Sequence, residues 1–565
     1  MLTRDLRALC EEVLLEHDAA QLGVVIEPRR REDALGDLRL VFADRAWLRS
    51  AAGQKLANAL NAHPVVAEVQ QRKSAIQVRF TDQVLIDLEQ ELAAGEPLIG
   101  EAKGRDSGLE RVIVSFIGPN TNKALHVGHL RNAYVGEALA SALETAGVEV
   151  HRLNLVGDIG RRMAEAMAGY LGAYQGREPA DLELQTDRFV ELCCRSFGKK
   201  SRGERTAAED PNAEERKAVG DLADELLARW LAGAPPETDL WRRMRDWSIE
   251  GHERTLERLG IRFDEYGYES DAVPHAMALI EEGVERGIFE REEEGGVVYR
   301  TGQSEYPTMV MLRDDGFPTE HARLLAAYDR ILAELSENAA YLELAGLEWQ
   351  PAIAVICKIL EDLQPGPRNE ANLRVFHGSL TEAEGQKIGS SVGEPTWVDD
   401  FVDEVEQGPA VAALEQLADG RVGRAELADL LIRGTFLCAP LNRPLMFTPE
   451  AVSSGRSGPG WTIAEAWCKA RAAQGQDEGA PLSSRAVVMQ SQQFGLSLER
   501  TVSRHDVTSL SRYLLNLSEL CTGLPSPGPA AAGTMAQALR ALGFLAGRGA
   551  QGAGTESRRE EAGVL

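Results

Sequence analysis

Between Pro119 and Asn132 the chain reads PNTNKALHVGHLRN, a loop whose side chains suit chemistry on a polyphosphate. Lys123 supplies a point charge for phosphate oxygens. His126 and His129, separated by Val127 and Gly128, stand where a helical run begins. Backbone N–H groups and the helix dipole favour anions there. Gly128 has no Cβ and lets a phosphate or a flat ring approach the main chain. No Asp or Glu lies between Glu110 and Glu137, so nothing nearby in sequence cancels the positive field. A helix start merely capped by two histidines is the plainer alternative, and it is disfavoured by the lysine beside the turn and by the elements on either side.

Those elements follow from the apolar pattern. VIVSFI, residues 112–117, is a short β-branched run suited to a buried parallel strand. Residues 130–146 form a helical run with apolar residues on one face, closed by Gly147. Residues 148–155 read as a second strand. Strand, loop, helix and strand together open a nucleotide-binding α/β unit.

This loop resembles the HIGH motif of class I aminoacyl-tRNA synthetases. The wider string is similar to the arginyl-tRNA synthetase version, roughly PN-x-x-K-P-L-H-V-G-H-L-R, and LNLVGDIG (residues 153–160) is similar to that family's N-x-V-G-D-W-G. The resemblance implies an α/β multidomain protein with a Rossmann-like catalytic domain over residues 106–400, interrupted by a helical insertion at about 175–300. It also implies a small α+β domain at 1–105 that touches tRNA, an all-α anticodon-binding-like bundle at 401–546, and a disordered tail at 547–565. FDEYGYES, residues 263–270, resembles the family's F-D-x-x-x-x-E-S. GQKIGSS (residues 385–391) is a degraded match to the mobile lysine–serine loop, with Lys387 and Ser390 placed near ATP phosphates.

The implied activity is ATP-dependent activation of an amino acid, arginine by resemblance, followed by transfer to tRNA. Lys123, His126, His129 and Lys387 would be catalytic, with Gly128 and Ser390 beside the nucleotide and Mg²⁺ arriving with it. Asn120 and Gln350 would hold the amino and carboxylate groups of the amino acid. Its side chain would meet Ser115, Glu320 and Leu324, and here the chain departs from the family. Ser115 replaces a Glu, Glu320 a Tyr and Leu324 an Asp. Losing one fixed carboxylate partner costs a buried guanidinium about 2–5 kcal/mol. Two further readings therefore stand beside arginine–tRNA ligase: a paralogue that activates a different amino acid for amide or ester formation, and a weakly catalytic tRNA-binding regulator.

Composition narrows the classes. At 565 residues the chain should hold three or four domains. Its formal net charge of −27 predicts weak nonspecific nucleic-acid binding and reliance on a defined site. No window approaches about 20 uninterrupted apolar residues, so no membrane span is expected. The charged N-terminus lacks a signal-peptide core, which suits a cytoplasmic protein. Seven scattered cysteines lack metal-ligand spacing, so no metal centre is expected, and adjacent Cys193 and Cys194 read as helix packing. A monomer is the family-level expectation.

Overall fold

The computed structural model describes residues 24–28, 37–72, 74–93, 98, 109–201, 213–302, 308–381, 388, 396–473, 485–491, 493–524 and 527–545. Residues 2–15, most of 95–110, most of 199–217, Lys387, Ser390 and the tail lie outside the described residues.

Near the N-terminus, strands β1 (Val24–Pro28), β2 (Leu38–Phe42), β3 (Val66–Gln71) and β4 (Ala75–Phe80) form an antiparallel sheet in the order β1-β2-β4-β3. Helix α1 (Ala51–Ala62) buries Leu56 and Leu60 beneath it. Helix α2 (Asp82–Ala93) follows β4.

The central sheet holds β5 (Arg111–Ser115), β6 (Glu149–Val156), β7 (Glu265–Tyr268), β11 (Ala339–Gly346) and β12 (Asn372–His377), all parallel, in the order β12-β11-β5-β6-β7. Strands β8 (Glu290–Arg291), β9 (Val297–Arg300) and β10 (Thr308–Leu312) form a separate antiparallel ribbon. Both faces of the central sheet are covered, which is why β5 reads as a continuous apolar run. Val112 and Val114 point to one side, with helix α3 (Leu130–Thr145), while Ile113 joins the core on the other.

Two expectations for this unit change. The strand stops at Ser115, two residues early, because Ile117 (φ 71°) and Gly118 (φ 53°) both turn left-handed. Their N–H groups are taken by Asn132 Oδ1 at 2.6 Å and Asn154 Oδ1 at 3.2 Å instead of a strand. Helix α3 is also buried on every side rather than on one face. It runs between the sheet and the C-terminal helices, so its solvent face is taken by a second layer. At Gly136 a Cβ would come within 2.3 Å of the Phe116 ring, so the helix can lie this close only with glycine there.

Helices α4 (Arg161–Gly169), α5 (Thr186–Ser201), α6 (Ala213–Leu231) and α7 (Pro235–Arg258) pack into a separate apolar cluster around Phe189, Trp241 and Met244. Helices α8 (Glu269–Glu285), α9 (Glu320–Glu334) and α10 (Gln350–Leu363) cover the far face of the sheet. Beyond Val398 the described residues are mostly helical, including α11 (Val398–Gln407), α12 (Arg424–Leu437), α13 (Gly458–Ala473), α14 (Thr508–Thr522) and α15 (Pro529–Ala541). One exception was not legible in the apolar periodicity. β14 (Leu445–Met446) pairs in parallel with β13 (Leu380–Thr381), joining the helical region to the end of the central sheet.

Candidate active site

At the end of β5 the chain enters a turn fixed from several directions. Asn120 forms an isolated parallel bridge with Gly157, and Thr121 N donates to Gly157 O at 3.0 Å. His126 precedes the short turn Val127–His129, and its Nδ1 accepts from Gly128 N at 3.1 Å. A backbone N–H can only donate, so the neutral His126 ring carries its proton on Nε2. His126 N in turn donates to His129 Nδ1 at 3.1 Å, and the two ring centroids are 4.1 Å apart. From outside, Val127 N donates to Thr396 O and Val398 N to Leu125 O, both at 3.0 Å.

The electrostatics differ from the expected uncancelled positive field. Burial holds both imidazoles neutral. His126 falls to about 4, through desolvation and then the nearby Lys123 charge, and His129 drops well below its usual range for the same leading reason. Burial also lowers Lys123, against the pull of Glu191 and, more weakly, Glu320. Glu191 arrives from helix α5, where its Oε2 accepts from Ala124 N and from Trp397 Nε1, each at 3.1 Å. Carboxylates absent from the local sequence are thus supplied by distant segments.

The turn forms one wall of a cleft of about 430 Å³. Ser115, Asn120, Lys123, His126, Gly128 and His129 line it from one side, Glu320 and Leu324 from helix α9. Gln350 does not line this cleft. It is the first residue of α10, exposed, and absent from the cleft wall, because the preceding turn brings Glu348 and Trp349 inward instead. Ile388 reaches the cleft as well, with its carbonyl 3.3 Å from where a Cβ on Gly128 would sit.

The family described as tRNA synthetases class I (R), catalytic domain, matches residues 97–407, more than half of the chain. The chain belongs to that family. An arginine–tRNA ligase of Treponema denticola is 28% identical over 450 residues, covering 74% of this chain and 73% of that protein. One from Amoebophilus asiaticus is 28% identical over 304 residues, 53% of this chain and 50% of that protein. Among solved structures, Thermus thermophilus arginyl-tRNA synthetase gives a TM-score of 0.69 at 20% identity, covering 96% of this chain and 99% of that one. Arginyl-tRNA synthetase from Plasmodium falciparum gives 0.64 at 14% identity, with 96% and 98% covered. At these identities the structural likeness speaks for the fold.

Several groups in or directly behind the cleft of this class I synthetase were not among its expected site residues. Arg323 is 6% exposed and pairs with Glu269, its Nη2 and Nε lying 2.7 and 2.8 Å from Oε2. Arg374 Nε lies 3.0 Å from Glu343 Oε2, which also accepts from the Tyr328 hydroxyl. Its guanidinium sits 4.4 Å from the Tyr328 ring centre. Glu269 and Glu343 therefore already hold arginines of the protein itself. Glu320 makes no hydrogen bond or ion pair among the described residues. One signal for Glu343 was present: it is the lone charge in the otherwise apolar strand AAYLELAG.

Among the described residues no group of His, Cys, Asp and Glu is arranged to hold a metal ion, and no helix is long and apolar enough to cross a membrane.

Proposed function

We propose that this cleft joins an amino acid to ATP and that the chain then loads the product onto tRNA, the activity carried in the names of its arginine–tRNA ligase relatives. The supporting observation is the convergence of Lys123, His126, Gly128 and His129 on one cavity that also holds Asn120 and Glu320. The amino-acid carboxylate attacks the α-phosphate, its oxygen bonds to phosphorus, and pyrophosphate leaves. A ribose hydroxyl at the tRNA end then displaces AMP. The protein's part is alignment and charge stabilisation. His126 offers a neutral Nε2–H donor, and Lys123, together with Lys387 outside the described residues, neutralises the leaving pyrophosphate. Ser390 would stand beside the phosphates, and Mg²⁺ would arrive coordinated to the nucleotide. Asn120 holds the amino group. The reaction suits a cytoplasmic monomer.

A second reading, activation of an amino acid other than arginine, is favoured by the side-chain end of the cleft. Leu324 offers no charge there, and Glu269 and Glu343 are already engaged by Arg323 and Arg374. Pyrophosphate exchange into ATP, run across the twenty amino acids with and without tRNA, separates the readings. Arginine-dependent exchange supports the ligase, and exchange with another amino acid supports the second reading. In either case His129→Ala should abolish exchange while tRNA binding persists. Exchange that survives this substitution would place the chemistry elsewhere.

A further inference from the structure

Arg131 lies two residues after His129 and is among the largest fully buried side chains, 1% exposed. Its guanidinium has no carboxylate partner among the described residues. Instead Nη1 donates to Gly378 O at 2.8 Å and to Arg443 O at 2.7 Å, and Nη2 donates to Pro440 O at 2.6 Å. Nε has no partner. Burying a cation on carbonyls alone is costly, since no counter-ion offsets its lost hydration. Desolvation accordingly lowers this guanidinium to about 10. A leucine here would avoid that cost, so the charge has another use.

What it clamps is specific. Gly378 lies between His377 and Ser379, both lining the cleft, and Pro440 and Arg443 belong to the segment after helix α12. The two clamped segments are also zipped together by their own main chains. Gly378 N donates to Leu441 O at 2.8 Å, Leu445 N to Ser379 O at 2.9 Å and Phe447 N to Thr381 O at 2.9 Å. A Cβ on Gly378 would come within 2.2 Å of Arg443 O, so the approach tolerates only glycine. Leu380 O then accepts from Ile388 N at 2.9 Å, and Ile388 O faces Gly128. The contacts form a closed loop from the histidine turn through Arg131 to the 440–447 segment, along β13, and back to the histidine turn.

We propose that Arg131 is a positioning residue for the nucleotide end of the cleft, locking the histidine turn to β13 and to the 440–447 segment of the helical region. Resting on the activation reading above, this makes the geometry at the phosphates depend on a part of the chain that does not itself line the cleft. Arg131 touches no reactant. Its loss should disturb ATP more than the amino acid, because Glu320 and Leu324 stand on the far wall, on helix α9, and Asn120 is fixed separately by its bridge to Gly157.

The test uses the full-length protein and two variants. Arg131→Lys keeps the charge but cannot span three carbonyls, and Gly378→Ala forces the same segments apart from the other side. ATP affinity is measured by calorimetry, activation constants by pyrophosphate exchange, tRNA affinity by filter binding, and folding by thermal melting. For Arg131→Lys, well below its melting transition, the ATP KM should rise about tenfold or more, the amino-acid KM should stay within about twofold, and tRNA affinity should hold. Gly378→Ala should reproduce that pattern. A wild-type protein that binds no ATP overturns the activation reading and this inference together. Wild type binding ATP while Arg131→Lys binds it equally overturns the inference alone. So does parallel loss of ATP, amino-acid and tRNA affinity, or failure of both variants to fold, since a merely structural clamp behaves that way.

Discussion

Ser115 and Glu343 lie opposite each other, in register, on the adjacent parallel strands β5 and β11. The carboxylate that the family resemblance leads one to expect at Ser115 is thus present one strand over, at the same level of the sheet. It is not free. Arg374, from the next strand again, holds it together with Tyr328. A substrate cation reaching this depth would compete with an arginine already in place. The cleft therefore keeps its negative charge but presents it at Glu320, near the rim of the α9 wall.

The Glu343–Arg374 pair should matter for stability more than an exposed pair would. The two side chains are 12% and 9% exposed. Arg374→Met leaves a buried carboxylate with one hydroxyl partner, and breaking such a pair typically costs about 3–5 kcal/mol. The double variant Glu343→Met with Arg374→Met should recover much of that loss, because no uncompensated charge remains. Urea unfolding of wild type and both variants measures this, and a single variant as stable as wild type would count against the pairing.

Glu320 should set the affinity for the amino acid. It has no internal ion pair among the described residues and lines the cleft with Lys123. Glu320→Gln should raise the amino-acid KM about ten- to a hundredfold if the substrate carries a cationic side chain, with the ATP KM nearly unchanged. The check is pyrophosphate exchange at varied amino acid and then at varied ATP. An unchanged amino-acid KM would favour the reading in which a neutral side chain is activated.

The turn and its flanking strand and helix were legible because their information is local: a β-branched run, a glycine without Cβ, a closing Gly147 (φ 85°). The electrostatics were not. Glu191 and Glu320 reach Lys123 from 68 and 197 residues away in sequence. The histidines read as part of a positive site, and only packing makes them neutral. That Trp349 and not Gln350 lines the cleft was not legible either, because a single turn of chain decides which of the two faces inward. The β13–β14 pair escaped notice because two-residue strands carry no periodicity.

Gly128 should tolerate no side chain. A Cβ there would stand 2.7 Å from His126 Cε1 and 2.8 Å from Nδ1, closer than real contacts allow. Gly128→Ala must push the imidazole away and lose the bond from Gly128 N to Nδ1. Misplacing an aligned group by about 1 Å can cost a factor of about a hundred in rate. The expected result is that loss in pyrophosphate exchange with a melting temperature lowered by only a few degrees. A variant as active as wild type would remove His126 from the mechanism.

His252 gives a stability prediction with a definite sign. It is fully buried on helix α7, donates from Nε2 to Lys123 O at 2.8 Å, and has no hydrogen-bond partner at Nδ1 among the described residues. Burial, with Lys123 nearby, lowers it to about 4 in the folded chain, against about 6.5 when unfolded. Between those values the unfolded chain binds the proton and the folded chain does not, so the stability this histidine provides is complete above about 6.5 and is lost as pH falls toward 4. Asp158 and Asp187, raised to about 6 by burial, act in the opposite direction over much of the same range, which would mask the effect in wild type alone. His252→Gln can still donate to Lys123 O and leaves those carboxyl groups in place, so the difference between the two proteins isolates the imidazole. On going from pH 7.5 to pH 5, wild type should lose about 2 kcal/mol relative to the variant in urea unfolding. A difference that does not move with pH would mean that the ring is already charged in the folded state, and the carbonyl of Lys123 would then face an imidazolium directly behind the nucleotide turn.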